Sequence, residues 1–130
     1  MQSFSIPIKL ADSFEGLAES KGLLISNDEV ILIQFQTVDA ILGVVKSGLT
    51  EVKLPLANIV ELSYKKSLFG NKLILKVDNL RLIEKLPECN NNEVVLSVAR
   101  KDIDDAIDFV RAIKLDMSEK EYQEALKQAN

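Results

Sequence analysis

The sequence predicts a mainly-β α+β domain: about seven antiparallel strands forming a partly open barrel capped by a C-terminal helix, with a short N-terminal helix and an extra C-terminal one. Three observations carry this expectation. Six stretches alternate apolar and polar residues: Ile31, Ile33, Phe35; Val52, Leu54, Leu56; Val60, Leu62, Tyr64; Leu73, Leu75, Val77; Leu80, Leu82, Leu86; and Val94, Leu96, Val98. A spacing of two puts each set on one face of a strand. Turn-forming residues separate the stretches, as in antiparallel all-β architectures. The period then changes, because Ile103, Ala106, Ile107, Val110 and Ile113 follow helical spacing and can lay one apolar stripe on the sheet.

Taken in order, Phe4 to Leu10 reads as an edge strand, where Pro7 is tolerated because no ladder needs its missing N–H. Asp12 or Ser13 can cap a short helix with Phe14, Leu17 and Ala18 on one face, ended by Lys21-Gly22. Leu23 to Ser26 and Val30 to Thr37 form a hairpin across Asn27-Asp28-Glu29. From Ala40 to Val45 the alternation fails, and Gly43 stands where a bulge would relieve a bend.

After a turn at Ser47-Gly48, Thr50 to Leu56 is a strand, and Pro55-Leu56-Ala57-Asn58 interrupts before the strand Ile59 to Lys66. Ser67 to Asn71 turns into the strand Lys72 to Val77, and Leu80 to Leu86 reads as a further strand. Three successive Asn in Pro87 to Asn92 mark a turn, since Asn tolerates left-handed backbone. Glu93 to Ala99 is the last strand. Asp102 can then cap a helix running to about Lys114, with Asp104 and Asp105 at the positive end of its dipole. Ser118 and Glu121 have capping-box spacing and predict a second helix with Tyr122, Ala125, Leu126 and Ala129 as its stripe.

With 130 residues and 47% hydrophobic composition the chain can bury one core without disulfides or metal. The single Cys89 and a start unlike a secretory leader predict a reduced, cytoplasmic protein. The net charge of −4 argues against nucleic acid, whose phosphates demand an excess of Lys and Arg. Charge is unevenly spread: residues 1–45 sum to −4, residues 46–85 to +4, residues 86–100 to −1 and residues 101–130 to −3. A positive middle between acidic ends can orient the molecule toward another protein or another copy of itself.

No histidine is present, which removes the usual general base, zinc ligand and triad member. One cysteine makes neither a zinc cluster nor a dithiol pair, and the five glycines form no phosphate loop. Asp104, Asp105 and Asp108 read as dipole stabilisers, and Glu84 as a solvated residue. The expectation is therefore a non-enzymatic domain with no catalytic residues, no cofactor and no metal.

Two features point to binding. Ile41, Leu42, Val44 and Val45, with Tyr122 and Leu126 on the terminal helix, are interface candidates, because apolar groups that project mark contact surfaces. Lys65, Lys66, Phe69 and Lys72 gather basic and apolar groups at one hairpin and are candidates for an anionic lipid headgroup or membrane.

Gly22-Leu23-Leu24-Ile25, Val30-Ile31-Leu32-Ile33 and Leu54 to Leu62, followed by Lys72 to Val77 and by Val94 to Ile113, resemble bacterial pleckstrin-homology-like (PH-like) and GRAM domains. The resemblance covers about Lys21 to Lys114. It implies a barrel of bent sheets plugged by the last helix, and a division into an N-terminal extension (1–20), a PH-like barrel with closing helix (21–115) and a C-terminal helical extension (116–130). Phosphoinositide-binding members carry basic residues on the first two strands and the loop between them, whereas here that loop is Ser26-Asn27-Asp28-Glu29. The helix tryptophan common in the family is absent, with Phe109 nearby. The expected function is assembly through protein–protein contacts or homo-oligomerisation, the alternative being peripheral membrane binding through the basic hairpin.

Overall fold

The computed structural model describes residues 4–13, 18–27, 29–39, 48–67, 70–86, 89 and 91–129. Seven strands, β1 (Ser5–Ser13), β2 (Ala18–Asn27), β3 (Val30–Asp39), β4 (Thr50–Pro55), β5 (Ile59–Ser67), β6 (Gly70–Val77) and β7 (Glu93–Val98), precede one helix, α1 (Ile103–Ala129). Every strand pairing is antiparallel, in the spatial order β4-β3-β2-β1-β7-β6-β5.

Alternation decides which face is inside. Ile6, Ile8 and Leu10 of β1, Ile31, Ile33 and Phe35 of β3, and Leu73, Leu75 and Val77 of β6 are buried, as are their counterparts on the other strands. The residues between them face outward. Helix α1 lays Ala106, Phe109, Val110 and Ile113 on this core and packs on β5. The Phe109 ring meets Phe4 edge-on at a centroid distance of 6.0 Å. Phe4 is held in turn by buried Ser26, whose Oγ accepts from Phe4 N at 2.9 Å while Ser26 N donates to Phe4 O at 3.0 Å.

The β4–β5 corner is a 3-10 turn at Leu56–Asn58. It is fixed at both ends: Leu56 N donates to Glu29 O at 2.9 Å, and Asn58 Nδ2 donates to Asp78 Oδ1 at 2.9 Å. The hairpin turns fall where the sequence puts them, with Asn27 opposite Val30 and Ser67 opposite Gly70. Asn91, in the asparagine run, takes the left-handed backbone with φ 59°.

Five expectations are corrected, the edge position of the first strand among them. The strands form one unclosed sheet rather than a barrel of two sheets: β4 and β5 end the order without pairing, and β1 meets β7 at the single pair Lys9↔Ser97. That thin seam is also why Pro7 is accommodated in a strand that is not at the edge. The short N-terminal helix is replaced by a hairpin, since Ser13 pairs with Ala18 after a register shift beyond Leu10, and Gly22 lies within β2 rather than ending a helix.

Leu80 to Leu86 is not a strand. Asn79 Oδ1 accepts from Arg81 N at 3.0 Å and starts a 3-10 turn at Leu80–Ile83, which buries Ile83 and Leu86 three residues apart. Finally, no break separates two C-terminal helices. Lys114 to Glu119 holds neither Gly nor Pro, half-buried Met117 packs against the core, and α1 continues unbroken for 27 residues, about 40 Å.

Candidate functional site

Ile41, Leu42, Val44, Val45 and Phe69 lie outside the described residues. Of the other candidates, Tyr122 and Leu126 lie on α1, Lys65 and Lys72 on the outer face of the sheet, and Lys66 on its opposite face near the end of β5.

On α1 the packed face ends at Met117; from Ser118 to Ala129 no residue is buried. At about 100° per residue, Leu115, Tyr122, Leu126 and Ala129 align within a narrow sector opposite Phe109 and Ile113. Leu115 is 60% exposed, Tyr122 63% and Leu126 43%. Helix α1 therefore carries two apolar stripes, one in the core and one bare. Interleaved with the bare stripe, Asp104, Asp105, Asp108, Asp116 and Glu119 fall within roughly a third of the circumference that also holds Leu115, Tyr122 and Leu126, a sector free of Lys and Arg.

The projecting turns of α1 also stand over the β4–β5 corner. Between them lies an open groove of about 1030 Å³, lined on the sheet side by Leu56, Ala57 and Ile59 and bridged by Lys120 Nζ to Glu29 Oε1 at 3.2 Å. This side of the helix presents Lys120, Glu124 and Lys127, so the groove joins an apolar floor to a charged wall.

Strand register builds the second surface. Lys65 pairs with Lys72, Lys72 with Ser97, Ser97 with Lys9, and Lys9 with Lys21. Lys9, Lys21, Lys72 and Ser97 each adjoin a buried residue and Lys65 follows half-buried Tyr64, so all five point outward, forming one rung of four lysines and a serine across β5, β6, β7, β1 and β2. Like charges directly opposite each other destabilise a sheet. Elsewhere on the same face Lys76 stands between Glu61 and Glu93, with Lys76 Nζ 3.4 Å from Glu61 Oε2, and Gln34 Nε2 donates to Glu51 Oε2 at 2.8 Å. Lys66 alternates to the other face from Lys65, opposite Asn71, whose Oδ1 accepts from Tyr64 Oη at 2.8 Å.

Lys9, Lys21 and Leu115 were not among the candidates read from the sequence. Ile8-Lys9-Leu10 already points Lys9 outward, but its lysine neighbours come from strands distant in sequence. Leu115 and Tyr122 are seven apart and share a face once one helix contains both.

Asp104, Asp105, Asp108 and Glu84 are exposed, and Asp102, in the 3-10 turn before α1, has a buried Oδ2 without a hydrogen-bond partner. Among the described residues no three His, Cys, Asp or Glu converge as a metal cage, and no helix is long and apolar enough to cross a membrane. Burial raises the pKa of the Cys89 thiol. Less of it is thiolate at a given pH, so iodoacetamide at mildly alkaline pH is expected to alkylate native Cys89 more slowly than the urea-unfolded chain, as mass spectrometry over time will show.

The molecule is thus a mainly-β α+β protein, a seven-stranded antiparallel sheet with one long C-terminal helix packed on it. Comparisons with protein-family models, curated proteins and solved structures find no match.

Proposed function

We propose that this chain is a PH-like, non-enzymatic assembly module that acts by protein–protein contact, chiefly with further copies of itself. The strand order and the helix that follows β7 support the PH-like reading, together with the sequence resemblance over Lys21 to Lys114. The bare stripe on α1 carries the functional one. A helical segment of about three turns is marginal in water on its own, yet Ser118 to Ala129 continues past its packing surface with Tyr122 and Leu126 uncovered. Apolar residues aligned on a projecting helix gain free energy when a second surface covers them.

Size-exclusion chromatography with light scattering tests this reading. The wild-type chain is expected to gain mass with concentration. The double substitution Tyr122→Ser/Leu126→Ser is expected to weaken association by roughly 10- to 100-fold, from the loss of two apolar contacts. Helix content by circular dichroism should stay nearly unchanged, because both side chains are exposed and neither belongs to the core cluster. A wild-type chain that stays monomeric at every concentration contradicts the proposal.

A further inference from the structure

The lysine rung on the outer sheet face gathers basic residues from strands distant in sequence. Cross-strand Lys65↔Lys72 sets like charges side by side, and Lys9 continues the row beyond Ser97, on a face where Lys76 instead stands between Glu61 and Glu93. Departures of this kind from local consistency are where functional surfaces are found. The rung is linear, and from Lys65 to Lys21 it crosses four strand spacings, about 19 Å. The acidic sector of α1 is also linear, and from Asp104 to Glu119 it rises about 22 Å. Both carry apolar groups: Ile74 and Val95 face outward one rung from Lys72 and Ser97, while Leu115 and Tyr122 lie among the acidic residues.

From this we infer that the rung of Lys65, Lys72, Ser97, Lys9 and Lys21 receives the acidic sector of α1 from a second copy of the chain. The inference rests on the self-association proposed above and names its surfaces. Within one copy the two cannot meet, because α1 packs on the inner side of the sheet and the rung lies on the outer side. The contact therefore joins two different patches of identical chains. A heterologous contact of this kind propagates as an open chain, or closes as a ring where its rotation permits.

A flat anionic surface fits less well. Glu61, Glu93 and Glu51 lie on the same sheet face and would be pressed against the surface's own negative charge, whereas a narrow acidic helix can engage the rung alone.

Two neutralising variants test the inference by sedimentation velocity at low salt. The rung variant is Lys9→Gln/Lys65→Gln/Lys72→Gln, and the helix variant is Asp108→Asn/Asp116→Asn/Glu119→Gln. Each alone is expected to be monomeric where the wild type forms species larger than dimers. An equimolar mixture should give a 1:1 dimer and nothing larger, because only one complementary pair of surfaces survives. The rung variant should also melt no lower than the wild type, as it relieves like-charge repulsion.

A monomeric wild type overturns the self-association reading and this inference together. Wild-type assembly that the rung variant retains overturns the inference alone and assigns self-association to another face. Retained assembly combined with loss of wild-type binding to phosphatidylglycerol vesicles, and with no binding to phosphatidylcholine vesicles, reassigns the rung to an anionic membrane.

Discussion

Phe109→Ala is expected to lower the free energy of unfolding by about 3–5 kcal/mol. Phe109 is fully buried where α1 crosses the core, and its ring meets Phe4 edge-on. Truncation removes the transfer free energy of the ring and leaves a cavity beside Phe4, whose backbone is held in place by Ser26. Against the roughly 5–15 kcal/mol that holds a small domain together, such a loss is a large part of the total. Urea unfolding read by circular dichroism checks it, with Phe109→Leu as the milder substitution expected to cost less than about 2 kcal/mol. Equal effects of the two would mean that the helix is not anchored by this ring.

Gly22→Ala is the second large effect. A β-carbon at Gly22 would overlap the Gln34 carbonyl oxygen and lie 2.7 Å from its carbon and 2.8 Å from Phe35 Cα, all of them backbone atoms of β3. No side-chain rotation relieves that overlap, so β2 and β3 must separate at the Gly22↔Phe35 pair. Overpacking of this kind costs about 3 kcal/mol. Hydrogen exchange should show loss of protection centred on that pair. Gly48→Ala is the matching control: nothing lies within 4 Å of its added carbon, and it should stay within about 0.5 kcal/mol of the wild type.

Much of the fold is legible in short-range pattern. Alternation in Ile31 to Phe35, Val52 to Leu56 and Val94 to Val98 is a direct imprint of one buried face, and the hairpin turns at Asn27 to Glu29 and Ser67 to Asn71 fall as their residues suggest. The misreadings share a cause. Leu80, Leu82 and Leu86 mimic a strand because spacing alone does not tell an alternating strand from an Asn-capped 3-10 turn. Ser118 and Glu121 mimic a helix start because capping residues also sit within continuous helices. At Gly22 the residue type signals special backbone, but only the opposing β3 backbone shows that the need is space rather than a helix stop.

The surfaces are less legible than the core for a related reason. Lys65 and Lys72 share a hairpin, so their proximity can be read from the chain. Lys9, Lys21 and Ser97 join them only through the order β5-β6-β7-β1-β2, which brings together residues nearly ninety positions apart. Likewise, the α1 stripe of Leu115, Tyr122 and Leu126 has a consistent phase only along one unbroken helix.

Sedimentation velocity of the unmodified chain across rising protein concentration, at low salt and again at about 0.5 M NaCl, tests the central claim most directly. Screening at the higher salt shortens electrostatic reach to a few ångströms. The account predicts reversible growth beyond the dimer at low salt that recedes toward monomer when salt is added. A single monomeric boundary at every concentration in low salt would contradict it.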